Sequence, residues 1–137
     1  MAYTVLIADD EKEIRSVLRL YLENTGYRVL EAADGIEAER IFAGEKVDLC
    51  LLDIMMPGKD GREVCKFIRS KYDVPVVFLT ALGEENDIIQ GYEIGADEYI
   101  TKPFSTKHLL VKINALINRY KGLLIKDGKM TVDEIDL

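Results

Sequence analysis

Five short apolar segments alternate along this chain with segments whose apolar residues recur at helical spacing. This alternation constrains the fold most, because repeated strand and helix units pack as a parallel sheet with helices on its faces. The first, third and fourth segments are apolar throughout, as strands covered on both faces should be. The predicted strands run near Thr4 to Ala8, Arg28 to Glu31, Leu49 to Leu52, Val76 to Leu79 and Glu98 to Ile100.

Each intervening segment predicts a helix with one buried apolar face. The first helix begins near Glu11 and ends at Gly26, Asp34 is the expected N-cap of the second, and Gly95 closes the fourth. The fifth runs from about Thr106 to Tyr120. The residues expected to be buried are Ile14, Val17, Leu18, Tyr21 and Leu22 in the first helix, Ile36, Ile41 and Phe42 in the second, Val64, Phe67 and Ile68 in the third, and Leu109, Leu110, Ile113, Leu116 and Ile117 in the fifth.

Right-handed crossovers leave few possible strand orders for five such units. The doubly wound α/β order 2-1-3-4-5, that of flavodoxin-like folds, places the first and third strands side by side. Their carboxyl ends then border a crevice at the point where the strand order reverses, and ligands bind there in sheets of this type. The sequence therefore predicts a functional site at the carboxyl edge of the sheet.

The bulk composition predicts one domain and excludes some partners. The 137 residues suit a single core, and the net charge of −7, from 18 basic and 25 acidic residues, argues against a nucleic-acid surface. No apolar run approaches the roughly 18 residues of a membrane span, so we expect a cytoplasmic protein. Cys50 and Cys65 are expected to be reduced core thiols.

The chain changes character after Lys121. Two short strand-like runs flank Asp127-Gly128, which is a signal for a tight hairpin. We therefore assign residues 1–121 to one domain and residues 122–137 to a linker or to the start of a second, truncated domain.

Charged and hydroxyl side chains stand where the predicted strands end. Asp9 and Asp10 follow the first strand, Asp53 the third, Thr80 the fourth and Lys102 the fifth. Three acids at one sheet edge repel each other unless a cation lies among them, and Mg²⁺ prefers such hard oxygen ligands together with phosphate. An ionised Asp53 is then a candidate nucleophile that forms an aspartyl phosphate, with Lys102 and Thr80 as partners of the phosphoryl oxygens.

Each of these residues also has an ordinary structural interpretation. The acids and Thr80 are good helix or turn caps, and Lys102 before Pro103 is a possible solvated loop lysine. Caps explain single residues, however, and not an acid, a hydroxyl and a lysine at different strand ends. The functional interpretation is therefore preferred.

Over roughly Tyr3 to Tyr120 the chain resembles a bacterial two-component response-regulator receiver domain. The resemblance rests on four motifs in order and at family spacing: Ile7-Ala8-Asp9-Asp10-Glu11, Leu51-Leu52-Asp53-Ile54-Met55-Met56-Pro57-Gly58-Lys59-Asp60-Gly61, Phe78-Leu79-Thr80-Ala81 and Gly95-Ala96-Asp97-Glu98-Tyr99-Ile100-Thr101-Lys102-Pro103-Phe104. It implies that Asp53 accepts a phosphoryl group from a sensor histidine kinase. It further implies a Mg²⁺ ion held by Asp10, Asp53 and the Met55 carbonyl, with Asp9 acting through water.

The same resemblance implies a switch. The Thr80 hydroxyl and the Ala81 amide engage the phosphoryl oxygens, Lys102 pairs with them, and Pro103 follows a cis bond. Tyr99 matches the family's switch aromatic, whose ring turns inward when Thr80 moves toward the phosphate. Such a chain is a phosphoryl acceptor that promotes its own phosphorylation and dephosphorylation, and is not a conventional enzyme.

The Asp97-Glu98-Tyr99 block and the fifth helix resemble the winged-helix transcription-factor subfamily. Its receivers form homodimers on phosphorylation through the fourth helix, fifth strand and fifth helix, so Asp97 and Glu98 are expected to meet Lys112 and Arg119 of a two-fold mate. The dimer face also contains Gln90 and His108, which depart from the basic and acidic residues usual there. DNA contact would need a domain that this segment does not contain.

Three other functions fit parts of the same pattern. A stand-alone receiver could control a partner protein, and a receiver-like module could bind partners without phosphorylation, although no acid or lysine of the pattern is missing. An aspartate-nucleophile phosphohydrolase usually has a second acid two residues after the nucleophile, where this chain has Met55. The sequence therefore favours storage of a phosphoryl group over turnover.

Overall fold

The computed structural model describes residues 2–122, which form a five-stranded parallel sheet flanked by five helices. The strands are β1 (Thr4–Ala8), β2 (Arg28–Ala32), β3 (Leu49–Leu52), β4 (Val76–Thr80) and β5 (Glu98–Thr101). The helices are α1 (Lys12–Asn24), α2 (Gly35–Gly44), α3 (Gly61–Lys71), α4 (Glu85–Ile94) and α5 (Thr106–Tyr120). The strand order is β2-β1-β3-β4-β5, so the predicted fold class and topology are confirmed.

The pairing of the central strands brings their carboxyl ends level. Ala8 at the end of β1 is in register with Ala32 of β2 and with Leu52 of β3. The ladder continues one residue further, since the Asp9 amide donates to the Ala32 carbonyl at 3.0 Å and the Asp53 amide to the Ala8 carbonyl at 2.9 Å. Asp9 and Asp53 are therefore held on neighbouring strands.

The sheet separates two apolar layers, as expected for strands covered on both faces. One layer packs β-strand residues such as Leu6 and Phe78 against α2 and α3, and the other packs Ile7 and Val77 against α1 and α5. Every residue of β1, β3 and β4 is buried. These buried central strands lie directly beneath the loops at their carboxyl ends.

The predicted apolar face of α1 is partly wrong. Leu18 and Leu22 are buried, but Val17 and Tyr21 are each 45% exposed. The helix is rotated because Arg15 and Arg19, on the other flank of the stripe, both pair with Glu31 of β2. That flank faces the protein and leaves Val17 and Tyr21 in solvent.

The other helices follow the predictions more closely. In α2 the buried side chains are Ala38 and Phe42, and the prediction fails for Ile36, which is 51% exposed. The remaining predicted core residues of α2, α3 and α5 are buried or half-buried: Ile41, Val64, Phe67, Ile68, Leu109, Leu110, Ile113, Leu116 and Ile117. Apolar spacing thus finds the correct helix face and overestimates its width.

The predicted helix ends are also present. The Asp34 side chain caps α2 by accepting from the Glu37 amide at 2.8 Å. Gly26 and Gly95 follow α1 and α4 with φ of 101° and 122°. Cys50 and Cys65 are free and buried.

No helix within residues 2–122 combines the length and apolarity needed to cross a bilayer. The predicted hairpin around Asp127-Gly128 and the predicted second domain lie outside the described residues.

Candidate functional site at the carboxyl edge of the sheet

Side chains from four strand ends meet at the carboxyl edge of the sheet. Asp9 and Asp10 follow β1, Asp53 follows β3, Thr80 is the last residue of β4, and Lys102 follows β5. The register of β4 and β5 continues into this edge, because the Lys102 amide donates to the Thr80 carbonyl at 2.8 Å. The sheet thus brings together residues that are far apart in sequence.

Lys102 connects the carboxylates of this edge. Its Nζ donates to Asp9 Oδ2 at 2.9 Å, to Glu11 Oε1 at 2.9 Å and to Asp53 Oδ2 at 3.1 Å. The lysine side chain is 12% exposed. Burial disfavours its charged form, but hydrogen bonds to Asp9, Glu11 and Asp53 outweigh burial and raise the pKa of Lys102. The ammonium is therefore a permanent positive charge beside Asp53.

Asp9 is the most deeply buried acid of the cluster. Its carboxylate is 3% exposed and accepts from the Glu11 amide at 2.8 Å as well as from Lys102. Burial raises the pKa of Asp9, the charge of Asp53 raises it further, and the Glu11 amide and Lys102 only partly oppose these effects. A single lysine thus leaves negative charge at this edge that a further cation would stabilise.

The acids fit a small divalent cation. One oxygen from each of Asp9, Asp10 and Asp53 lies within 4.8 Å of the others. Mg²⁺ holds oxygens at about 2.1 Å, so opposite ligands lie about 4.2 Å apart, and the separations of these carboxylates are on the scale of a site that holds the ion directly or through water. Asp9 and Asp53 are buried whereas Asp10 is exposed, which leaves the outer side open to the waters that Mg²⁺ retains.

The backbone around Asp53 is positioned by the start of α3. The Met55 amide donates to Asp53 Oδ1 at 3.3 Å, and the Gly61 amide donates to the Ile54 carbonyl at 2.8 Å. A Cβ at Gly61 would lie 2.2 Å from the Asp53 carbonyl oxygen, so only glycine allows this approach. The Asp60 side chain caps α3 next to it in a capping box with Glu63.

Thr80 and Tyr99 are linked through the loop after β4. Thr80 is buried, and its Oγ1 accepts from the Leu82 amide at 3.4 Å, while the Tyr99 hydroxyl donates to the Leu82 carbonyl at 2.6 Å. The Tyr99 ring packs on Phe78 with ring centroids 5.8 Å apart. Burial raises the pKa of Tyr99. Ala81, between Thr80 and Leu82, is exposed.

The residues predicted for a dimer face lie on α4, β5 and α5, except Asp97, which directly precedes β5. Within the chain, Lys112 Nζ pairs with Glu98 Oε1 at 3.3 Å. Arg119 and His108 are exposed, and the exposed Gln90 accepts from Arg62 Nη1 at 2.9 Å. The pairing of Lys112 with Glu98 of a second copy stays a prediction. In such a dimer, the ion pair between two copies would replace the one within the chain.

Asp97 already has internal partners. Its Oδ2 lies 2.6 Å from Arg69 Nη2 and accepts from the Val76 amide at 2.9 Å, and its Oδ1 accepts from the Tyr120 hydroxyl at 2.8 Å. Burial, followed by the hydrogen bond to Asp97, raises the pKa of Tyr120 to about 12. Asp97 therefore joins α3, β4 and α5 at the amino edge of the sheet, and its role on a dimer face stays a prediction.

Sequence reasoning missed several residues of the site. Glu11 shares Lys102, Gly61 supports Asp53, and Arg62 faces the same loop from the first turn of α3. Glu11 directly follows Asp9 and Asp10 in the sequence, and this position could have identified it as a third carboxylate partner of Lys102. The positions of Gly61 and Arg62 depend on how α3 packs, and no local pattern predicts that.

Comparisons with known proteins agree with this architecture. The family described as "Response regulator receiver domain" matches residues 5–114. The receiver domain of a Francisella response regulator, 1452, is 36% identical with a TM-score of 0.82, covering 85% of this chain and 98% of that one. The BeF3-activated N-terminal receiver domain of Klebsiella pneumoniae RstA is 34% identical with a TM-score of 0.80, covering 83% and 97%.

A chemotaxis protein is similarly close. CheY4 of Vibrio cholerae is 31% identical with a TM-score of 0.79, covering 85% of this chain and 99% of that one. The similarity therefore spans nearly the whole length of each of these relatives. The family match over residues 5–114 includes the acids, Thr80 and Lys102.

Proposed function

This chain belongs to the response regulator receiver domain family, and we propose on that basis that Asp53 is its phosphoryl acceptor. Members of this family are phosphoryl-accepting signalling modules of two-component systems. The observation that carries the proposal is the environment of Asp53, a buried carboxylate with Lys102 Nζ 3.1 Å away and two further aspartates beside it. A carboxylate next to a fixed cation and to oxygens that can bind a metal is suited to accept a phosphoryl group, because both positive charges would offset the charge of the phosphoryl oxygens.

In the proposed transfer, an Asp53 carboxylate oxygen attacks phosphorus, and the bond between phosphorus and the donor atom breaks. Such transfer depends on positioning and charge neutralisation more than on covalent machinery. Lys102 supplies one positive charge by exchanging its present carboxylate partners for a phosphoryl oxygen. Mg²⁺, held by Asp10, Asp53 and the Met55 carbonyl with Asp9 acting through water, would neutralise the phosphoryl charge when bound.

The proposed switch starts at Thr80. Its hydroxyl and the Ala81 amide would bind phosphoryl oxygens, which draws the loop after β4 toward Asp53. Support comes from the Leu82 backbone, which is bonded to Thr80 through its amide and to Tyr99 through its carbonyl. Movement of Thr80 therefore acts on the Tyr99 ring, and the phosphate biases the two positions by its different affinity for each.

The proposed partners are a sensor histidine kinase as donor and a second copy of the chain. Receiver domains interact with histidine kinases and often dimerise when activated. For this chain we propose the α4, β5 and α5 face, with Glu98 and Lys112 as the central pair and Asp97, Arg119, Gln90 and His108 around it. The winged-helix subfamily, a cytoplasmic location and control of transcription through a further domain remain parts of this proposal.

The proposed acceptor can be tested with a small phosphodonor. Wild-type protein incubated with acetyl phosphate and Mg²⁺ should gain the mass of one phosphoryl group by intact mass spectrometry. Asp53→Asn should gain none, because the amide is not a nucleophile, whereas Asp73→Asn, which alters an exposed carboxylate after α3, should be labelled like wild type. Equal labelling of Asp53→Asn and wild type would exclude Asp53 as the acceptor.

A further inference from the structure

A pocket of about 520 Å³ opens beside the acid cluster on its solvent side. It is adjacent to Asp53, because its lining includes Met55, whose amide donates to Asp53 Oδ1, and Asp10, whose carboxylate belongs to the cluster. The full lining is Asp10, Ile54, Met55, Met56, Pro57, Asp60 and Arg62. A small molecule in this pocket is therefore within reach of the acceptor carboxylate.

Arg62 is the positive charge of the pocket. Its Nη1 donates to Gln90 Oε1 at 2.9 Å and its Nη2 to Asp60 Oδ2 at 3.2 Å. The side chain is 33% exposed, and these bonds use only part of the donor capacity of a guanidinium. Among the described residues that line the pocket it is the sole cation, and the lining also contains apolar Ile54, Met55 and Met56 and the acids Asp10 and Asp60.

We propose that this pocket receives the leaving group of a small acyl phosphate donor and that Arg62 binds the carboxylate as it forms. The inference rests on the proposed function, since it concerns what donates to Asp53. An acyl phosphate has a short apolar group next to an oxygen that becomes anionic, which matches a pocket lined by apolar side chains together with one guanidinium. Arg62 is thus a residue that sets donor preference, acting on the leaving group and not on the phosphoryl group.

The chemistry defines the comparison that isolates this role. With acetyl phosphate, an Asp53 oxygen forms a bond to phosphorus, the bond from phosphorus to the acyl oxygen breaks, and its electron pair leaves on acetate without a proton. With phosphoramidate, whose nitrogen is already protonated at neutral pH, the same bond forms at Asp53, the phosphorus–nitrogen bond breaks, and the electron pair leaves on that nitrogen as neutral ammonia. Only the first donor releases an anion that Arg62 can stabilise.

The test measures rate constants of phosphorylation by acetyl phosphate and by phosphoramidate at constant Mg²⁺ and ionic strength. In Arg62→Gln the ratio of the acetyl phosphate rate to the phosphoramidate rate should fall by about fivefold, the size of a favourable exposed ion pair. Arg62→Lys should recover part of the ratio. Lys59→Gln, which removes a cation of the same loop that does not line the pocket, should leave the ratio unchanged.

Other results would overturn the proposal. An unchanged ratio in Arg62→Gln would show that the guanidinium does not contact the leaving group. Gln90→Ala removes the hydrogen bond between α3 and α4 but keeps the charge, and an equal fall of the ratio in that variant would assign the effect to helix packing. If neither donor labelled wild-type protein, the proposed function itself would fail, and this inference with it.

Discussion

At the scale of single residues, Lys102 balances the negative charge of the acid cluster. Its ammonium contacts three carboxylates, of which Asp9 and Asp53 are buried. Removing one partner from a buried ionic group leaves the other charges without compensation. The lysine therefore stabilises the fold and supplies a positive charge beside Asp53, the proposed acceptor.

Substitution of Lys102 by methionine tests both roles. The change keeps the length of the side chain and removes the charge, so the free energy of unfolding in the absence of metal should fall by about 3 kcal/mol. Mg²⁺ should recover part of that loss, because a divalent cation replaces the missing positive charge. Urea denaturation with and without Mg²⁺ measures both quantities, and equal stability of variant and wild type would contradict the description of this edge.

At the scale of secondary-structure elements, α4 packs directly against the Tyr99 ring through a glycine, Gly91. Gly91 is buried in the helix, and a Cβ there would lie 2.6 Å from Tyr99 Cδ2 and 3.3 Å from Phe78 Cδ2. No side chain occupies such a distance without displacement. The ring therefore lies where it does because α4 has no side chain at this turn.

Gly91→Ala should displace the ring. The displaced ring is less buried, so the pKa of Tyr99, which burial raises, should move toward its ordinary value. The Tyr99 hydroxyl should also lose its hydrogen bond to the Leu82 carbonyl. Overpacking should destabilise the protein by about 1 kcal/mol, although alanine is the better helix former.

Gly44→Ala is the matched control. Gly44 is the last residue of α2, and a Cβ at this position would meet no neighbouring atom within 4 Å, so alanine there should stabilise by about 0.5 kcal/mol. Opposite signs for the two variants, read from urea denaturation and from NMR titration of tyrosine, support the steric role of Gly91. Equal stabilisation of both would refute it.

The comparison of sequence with structure is also clearest at this scale. Each predicted strand is present, and β2, β4 and β5 each extend one residue further, to Ala32, Thr80 and Thr101, because the parallel ladder continues past the apolar run. Helix orientation was less predictable, since the rotation of α1 depends on ion pairs to Glu31. Acids at strand ends were predictable because strand ends meet at one edge, whereas Arg62 and Gly61 depend on helix packing.

At the scale of the whole molecule, the two edges of the sheet differ in the role of their charged residues. The carboxyl edge contains the acid cluster, and the amino edge contains ion pairs that connect helices to the sheet. Asp48 is 4% exposed and accepts from the Thr4 amide at 2.8 Å, and its Oδ1 forms an ion pair of 2.7 Å with Lys121 after α5. This pair holds the end of α5 against the residue that precedes β3.

The Asp48 pair predicts a pH dependence of stability. Burial raises the pKa of Asp48, but Lys121 and the Thr4 amide outweigh burial, so the pKa is lowered. A lowered carboxylate pKa gives stability that is present above the unfolded pKa, about 3.9, and is lost as the pH falls through the folded pKa.

Asp48→Asn should therefore cost about 1.5 kcal/mol at pH 7, and its difference from wild type should shrink as the pH falls below about 4. Asp73→Asn, with an exposed carboxylate, should cost little at either pH. Thermal unfolding from neutral to acidic pH measures the difference. A gap between wild type and Asp48→Asn that stays constant with pH would contradict the ion pair.

The identity of the acceptor is the central claim, and locating the phosphoryl group tests it most directly. Protein treated with acetyl phosphate and Mg²⁺ is reduced with borohydride, which converts an aspartyl phosphate to homoserine, and is then digested and sequenced by mass spectrometry. We predict homoserine at residue 53 and unmodified aspartate at residues 9 and 10. Homoserine at either of those residues, or a phosphoryl group retained on a hydroxyl side chain, would contradict the account.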